Sequence, residues 1–187
     1  MGRTDDGTLF APLCGIEVRM KDFNPVHCGR TPDPKDCYVS ELGLTLEAEL
    51  ALTVARLFFQ SFASPNSNAW VAAMAEAEAR FGYRDGPIIA ARILATLQVI
   101  RRARKSVFMF NSPTCPGCAG IATEHERRLM GALVNVRRGE MGHARLEIMM
   151  LCEGNRVEIV LSALIALARA LDGELPENSH PKHETRV

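Results

Sequence analysis

The tetrad Cys115-Pro116-Gly117-Cys118 carries the residues best spaced for chemistry. Two cysteines with two residues between them can turn their sulfurs to one point only if the chain bends tightly. Pro116 fixes one backbone dihedral and Gly117 permits the unusual next one, so this sequence favours the bend. Convergent sulfurs can do two things: ligate a soft metal ion as thiolates, or cycle between dithiol and disulfide. A tetrahedral metal needs four ligands. The missing two are expected from the front of the chain, where Cys28 and Cys37 flank a stretch holding Gly29, Pro32 and Pro34. The expected set is therefore Cys28, Cys37, Cys115 and Cys118, with His27 as a substitute ligand beside Cys28.

The bend resembles a zinc or rubredoxin knuckle, in which backbone N–H groups also donate to the sulfurs. A structural zinc would explain how a Pro-rich, core-poor front segment is held to the rest, since such a site contributes on the order of 10 kcal/mol to folding. Thiolates alone do not separate zinc from iron, so an iron–sulfur cluster on the same sulfurs is an alternative. Cys14 and Cys152 are not expected to be ligands. Cys152 follows Met149, Met150 and Leu151 and reads as a small core hydrophobe.

A redox reading competes. Val107-Phe108-Met109-Phe110, then the cysteine tetrad, then a helix, resembles the strand–CxxC–helix unit of thioredoxin-like proteins. The resemblance implies Cys115 as the nucleophile and Cys118 as the resolving thiol. The sequence departs from that pattern in two ways. Helices rather than a β-α unit precede the motif, and no proline between Cys118 and Pro176 can furnish the loop that family sets beside its active site. A helical group of CxxC peroxidases needs no sheet; it would want a His and a Glu near the thiols, and His125 and Glu124 are the candidates.

Other constellations are thinner. His143 and Glu147 stand four apart on one expected helix, Glu140 and His143 three apart, and Glu124, His125 and Glu126 lie one helix earlier. Carboxylate-bridged metal bundles use a duplicated Glu-x-x-His pattern, and no second copy exists here, so these read as surface groups. There is no H-E-x-x-H, P-loop, dinucleotide fingerprint or serine-nucleophile motif. The pairs Arg101-Arg102, Arg127-Arg128 and Arg137-Arg138, with Arg104 and Lys105, could form an anion-binding stripe, and Gly139 could turn a helix-turn-helix. The second helix of such a unit offers few base-reading side chains: Glu140, His143, Arg145 and Glu147. Nucleic acid is thus a weakly supported partner, and helix-end arginines read first as dipole partners.

The elements that must position these groups are helical. Thr45 can cap a helix carrying Leu46, Leu50, Val54, Leu57, Phe58 and Phe62 on one face. Residues 64–68 stop it, and a second helix is expected over 69–81, with Trp70, Met74 and Phe81 on its apolar side and Gly82 just past its end. Pro87 opens a third, to 105, whose Ile88, Ile89, Ile93, Leu94, Leu97, Val99 and Ile100 make it central. Residues 107–110 read as a short extended run and 111–118 as a loop. Thr123 and Glu126 fit a capping box for a helix ending at Gly139. Another helix spans 140–152, and Asn155 is expected to cap the last, which carries Ile159, Val160, Leu164, Leu167 and Leu171. The expected fold class is all-α: a compact bundle of about six helices (44–173), an irregular Pro/Cys-rich arm (1–43) and a polar tail (174–187).

Composition sets the outer limits. The chain has 187 residues, with 22 Lys+Arg against 22 Asp+Glu, and 47% hydrophobic residues. That excludes disorder and binding to nucleic acid by bulk charge. Arg92 breaks the apolar stretch 88–100, and Glu158 and Arg169 break 157–171; neither reaches the roughly 20 residues a bilayer requires. No secretory leader is recognisable in the first residues. A cytoplasmic protein with reduced cysteines is expected. The sum is a non-enzymatic accessory or regulatory protein with a cysteine-held zinc, acting through a partner protein and not a membrane.

Overall fold

The computed structural model describes residues 32–173. Cys14, His27, Cys28 and the polar tail lie outside the described residues.

The helices form where the apolar period and the caps agree. Helix α1 (Leu46–Ala63) starts at Thr45, whose hydroxyl accepts from the Ala48 N–H at 3.4 Å, and carries Glu47 and Glu49 in its positive first turn. Helix α2 (Ala69–Phe81) ends at Gly82, whose φ of 87° suits glycine. Helix α3 (Gly86–Ala103) has proline in its first turn and Arg101 and Arg102 in its last. A four-residue helix, α4 (Pro116–Ala119), follows. Helix α5 (Glu124–Arg137) opens with a complete capping box of Thr123 and Glu126. Helices α6 (Met141–Leu151) and α7 (Val157–Leu171) complete the bundle.

Strand β1 (Cys37–Tyr38) pairs antiparallel with β2 (Ile121–Ala122), placing Cys37 opposite Ala122 and Tyr38 opposite Ile121. Helix α3 lies against α1, α2 and α7, while α5 packs on α1, α6 and α7. Leu52 and Phe58 of α1, Ile93 and Leu97 of α3, Leu133 of α5 and Leu164 of α7 are each 2% exposed or less. Burying a side chain of this size contributes about 1.5–3 kcal/mol. The all-α expectation holds, with α3 as central as its apolar girth implied.

Five local readings are corrected. Trp70 is 52% exposed, because α2 buries its alanines Ala69, Ala73 and Ala77, which allow close helix approach. Ile88 and Ile159 also face outward. Asn155 does not cap α7: Arg156 takes that position at φ 51°, and the Asn155 amide donates instead to the carbonyls of Cys152 and Glu153. The stretch read as a loop closes in α4, so Cys118 is helical. The arm is not wholly irregular, since β1 and a 3-10 turn at Val39–Leu42 order it. Among the described residues no helix is long and apolar enough to cross a membrane.

Candidate functional site

The cysteine turn is positioned by a buried ion pair. Arg56 of α1 is 3% exposed and Glu126 of α5 is fully buried. Arg56 Nε donates to Glu126 Oε1 at 2.7 Å and Nη2 to Oε2 at 3.0 Å, a two-pronged contact. The same guanidinium donates to the carbonyl of Ala119 at 2.7 Å and to that of Ile121 at 2.7 Å. These carbonyls bracket Gly120, where the chain leaves the cysteines. Arg56 therefore fastens the exit of the turn to α1.

Glu126 completes the network. Its Oε1 also accepts from the Asn111 N–H at 3.0 Å and its Oε2 from the Thr123 N–H at 2.9 Å. Each carboxylate oxygen thus receives two hydrogen bonds, which compensates the loss of water. Asn111, before the cysteines, donates its amide to the Ile121 carbonyl at 2.6 Å, and the Thr123 hydroxyl donates to the Met109 carbonyl at 2.8 Å. Both flanks of the cysteine segment are pinned. Reading Glu126 as a surface group is corrected: the capping box is present, and the side chain also accepts hydrogen bonds from the charged Arg56, on a helix far away in sequence.

The front arm meets this segment. Beyond the β1–β2 pairing, the Val39 N–H donates to the Gly120 carbonyl at 2.9 Å, and Lys35 pairs with Glu124 at 3.3 Å. Cys37 is half-buried and reduced, and burial pushes its thiol above the ordinary range, against the nearby Arg127 guanidinium; the carboxylates of Glu41, Asp36 and Glu126 add to the upward push. Cys115 and Cys118 are half-buried and carry no disulfide, with Cys115 at the N-cap of α4. Cys152 is fully buried, its thiol pushed up to about 11 by burial, as a core residue should be. Among the described residues no three His, Cys, Asp or Glu side chains gather to hold a metal ion, so Cys37, Cys115 and Cys118 are not a preformed triad.

His125 is not a surface group either. Its Nδ1 accepts from the Met109 N–H at 2.8 Å, its ring lies 5.3 Å from the Phe108 ring, and Arg104 Nη2 stands 3.2 Å from Nε2. Burial, then the Arg104 charge, lowers its pKa; Arg128 adds to this, while Glu124 and Glu153 oppose it. A lowered folded value means the fold prefers neutral imidazole. The stabilisation is fully present above the ordinary histidine value of about 6.5 and is lost as pH falls from there through the lowered folded value. Stability measured by urea unfolding is therefore expected to drop between pH 7 and 5, with a shallower slope in His125→Asn. An identical slope in that variant would show that the imidazole is not the titrating group. Glu124, the other candidate helper for a peroxidatic thiol, is committed to Lys35 and Arg128.

The expected anion stripe is neutralised only in part, since Arg104, Arg128 and Arg137 meet carboxylates while no described carboxylate pairs with Arg101, Arg102, Arg127, Arg138 or Lys105. Arg128 pairs with Glu124 and Glu147, Arg137 with Asp172, and Arg145 with Glu158. His143 is exposed beside Glu140 at 3.2 Å, as a surface residue. Arg56 and Asn111 are the site residues that the motifs did not single out. In comparisons with protein-family models, curated proteins and solved structures, nothing matches the chain.

Proposed function

We propose that this is a cytoplasmic, non-enzymatic helical accessory protein that acts through a partner protein, and that its cysteine turn is a thiolate metal site. Zinc is the ion, held by Cys115 and Cys118 with Cys37 and Cys28 of the arm, and His27 can replace one thiol. The observation that carries the reading is the β1–β2 pairing, which seats the Cys37 strand on the residues leaving the turn. The donor chemistry agrees, because reduced thiols are soft ligands that zinc prefers. Since three described thiols do not already gather, ion binding and closure of the arm onto the turn form one coupled step. Cys37, kept protonated by burial, must release its proton in that step.

Metal analysis of protein purified without added zinc tests the proposal. About one equivalent of zinc per chain is expected, falling below about half in Cys115→Ser and unchanged in Cys152→Ser. Less than about half an equivalent in the natural chain, unaltered by Cys115→Ser, overturns it.

A second reading, a dithiol oxidoreductase using Cys115 and Cys118, is favoured by one observation: the tetrad opens a helix with Cys115 at its N-cap. It requires fast reaction of Cys115 with a dithiol-exchange reagent near neutral pH, and inert thiols would remove it. An iron–sulfur cluster on the four sulfurs requires colour after anaerobic purification.

A further inference from the structure

A cavity lies away from the cysteines. It is a cleft of about 380 Å³ where the last turn of α1 meets the end of α3 and residues 107–110. That volume is near the small end of ligand sites, which run from about 300 to 1,000 Å³.

Its apolar side is aromatic. Phe59 stacks on Phe108 with ring centres 4.1 Å apart and planes 19° from parallel, and on Phe110 at 5.6 Å and 28°. Phe62 stands edge-on to Phe59 at 83°. Phe59 is buried at the centre of this stack, and the half-buried Phe108, Phe110 and Phe62 form the aromatic slab that faces the cleft.

Its polar side is cationic. Arg101, Arg104 and Lys105 line the cleft, and no carboxylate does. The Arg101 guanidinium lies over the Phe62 ring at 4.2 Å, and its one described hydrogen-bond partner is the neutral Gln98. No described carboxylate pairs with the side chain of Lys105. Arg104 is a fixed wall, its side chain 4% exposed, donating to the carbonyls of Leu151 and Val107 and to Ser106. Its Nε–H is buried without a partner, so this wall holds more donors than acceptors. Glu153, the acid near the end of α3, stands 3.8 Å from Arg104 Nη2 and offsets part of that one charge, but it does not line the cleft and pairs with neither Arg101 nor the Lys105 side chain. Its oxygens accept from the backbone N–H groups of Lys105 and Ser106 and from the Ser106 hydroxyl.

We propose that this cleft binds a small aromatic carboxylate, its flat body on the phenylalanine slab and its anionic group between Arg101 and Lys105. Charge complementarity chooses an anion, because the lining is cationic only. The slab chooses a planar apolar body. A nucleotide base fits less well, since its edges need acceptors as well as donors, and no side-chain amide or carboxylate lines the cleft. A nucleic-acid strand would also need a longer positive track, and Arg128, Arg137 and Arg145 are occupied by Glu124, Glu147, Asp172 and Glu158. The cleft gives the accessory protein an input independent of the thiols.

Calorimetric titration with naphthalene-2-carboxylate, and with the uncharged alcohol of the same ring, tests this on the full chain. The acid is expected to bind with Kd of about 10–100 µM and the alcohol at least about tenfold more weakly. The double variant Arg101→Gln/Lys105→Gln should weaken the acid by about the same factor and leave the alcohol unchanged, while Arg101→Lys/Lys105→Arg retains binding. Acid and alcohol binding equally, or no saturable heat up to about 1 mM acid, overturns the proposal. So does a single-stranded oligonucleotide that binds more tightly than the acid and loses binding in the same double variant, which would make the cleft a nucleic-acid surface. None of these readouts depends on zinc content, so this proposal and the metal site stand or fall separately.

Discussion

Glu126→Ala is expected to lower unfolding free energy by about 3–5 kcal/mol, enough to leave little of a small domain's usual margin. The reason is what stays behind. Arg56 keeps its charge in a site 3% exposed, and the N–H groups of Asn111 and Thr123 lose the oxygens that accept them. Water cannot reach Arg56 without opening the contact between α1 and α5. Replacing both partners is expected to be much milder. In Arg56→Met/Glu126→Leu no buried charge remains, although the Ala119 carbonyl loses its donor and the Asn111 and Thr123 N–H groups still lose their acceptor. Urea unfolding followed by circular dichroism measures both. A single-variant loss below about 1 kcal/mol would mean that the pair is wetted in solution. The double variant has a second readout. With Arg56 gone, the segment after Cys118 is no longer fastened, so alkylation of Cys115 and Cys118 should accelerate even where the bundle stays folded.

Gly86→Ala is expected to cost about 1–3 kcal/mol, a large effect for one added methyl group. Helix α3 begins against the last turns of α2. A Cβ at Gly86 would lie 2.6 Å from the Ala77 carbonyl oxygen, 2.6 Å from the Glu78 Cα and 2.8 Å from the Ala77 carbonyl carbon. All three are backbone atoms, so no side chain can swing aside; the two helices must part. Parting them loosens the alanine face of α2, where Ala73 and Ala77 are fully buried. The expected observation is a lower urea midpoint with an unchanged slope. Equal stability of the two chains would show that the helices adjust at no cost. The effect arises from a close approach and not from backbone freedom, because Gly86 sits in an ordinary helical conformation.

The helical frame is legible because apolar spacing and caps state it twice over. Thr45 and Thr123 cap as their sequences imply, and the core positions of α3, α5 and α7 follow the period. Where the period misleads, a competing term explains it. Trp70 lies outward because close packing of α2 favours its alanines. Asn155 finds local carbonyls before it finds a helix to cap.

The candidate site is half legible. The two cysteines and the turn between them are plain from spacing. Arg56 also leaves a trace: it stands four after Leu52 and three before Phe59, on a face that must be buried. Its partner leaves none, because Glu126 lies 70 residues away and already has a sufficient local role in a capping box. The pairing of β1 with β2 is two residues per strand, too short for alternation to register. The aromatic cleft joins two stretches some forty residues apart, 59–63 and 101–110, and only tertiary packing brings them together.

The clasp between Cys37 and Ala122 also orders events in time. During synthesis the first of these emerges early, while the second follows only after α1, α2 and α3 have left the ribosome. Until then the strand has nothing to pair with, and closing so wide a loop gains nothing before α5 docks. The nascent chain therefore cannot fasten its front until residues 121–122 have emerged. For that interval Cys37, with Cys14 and Cys28 ahead of it, meets the surroundings without its strand partner, and whatever captures thiols in the cell reaches these three ahead of the tetrad.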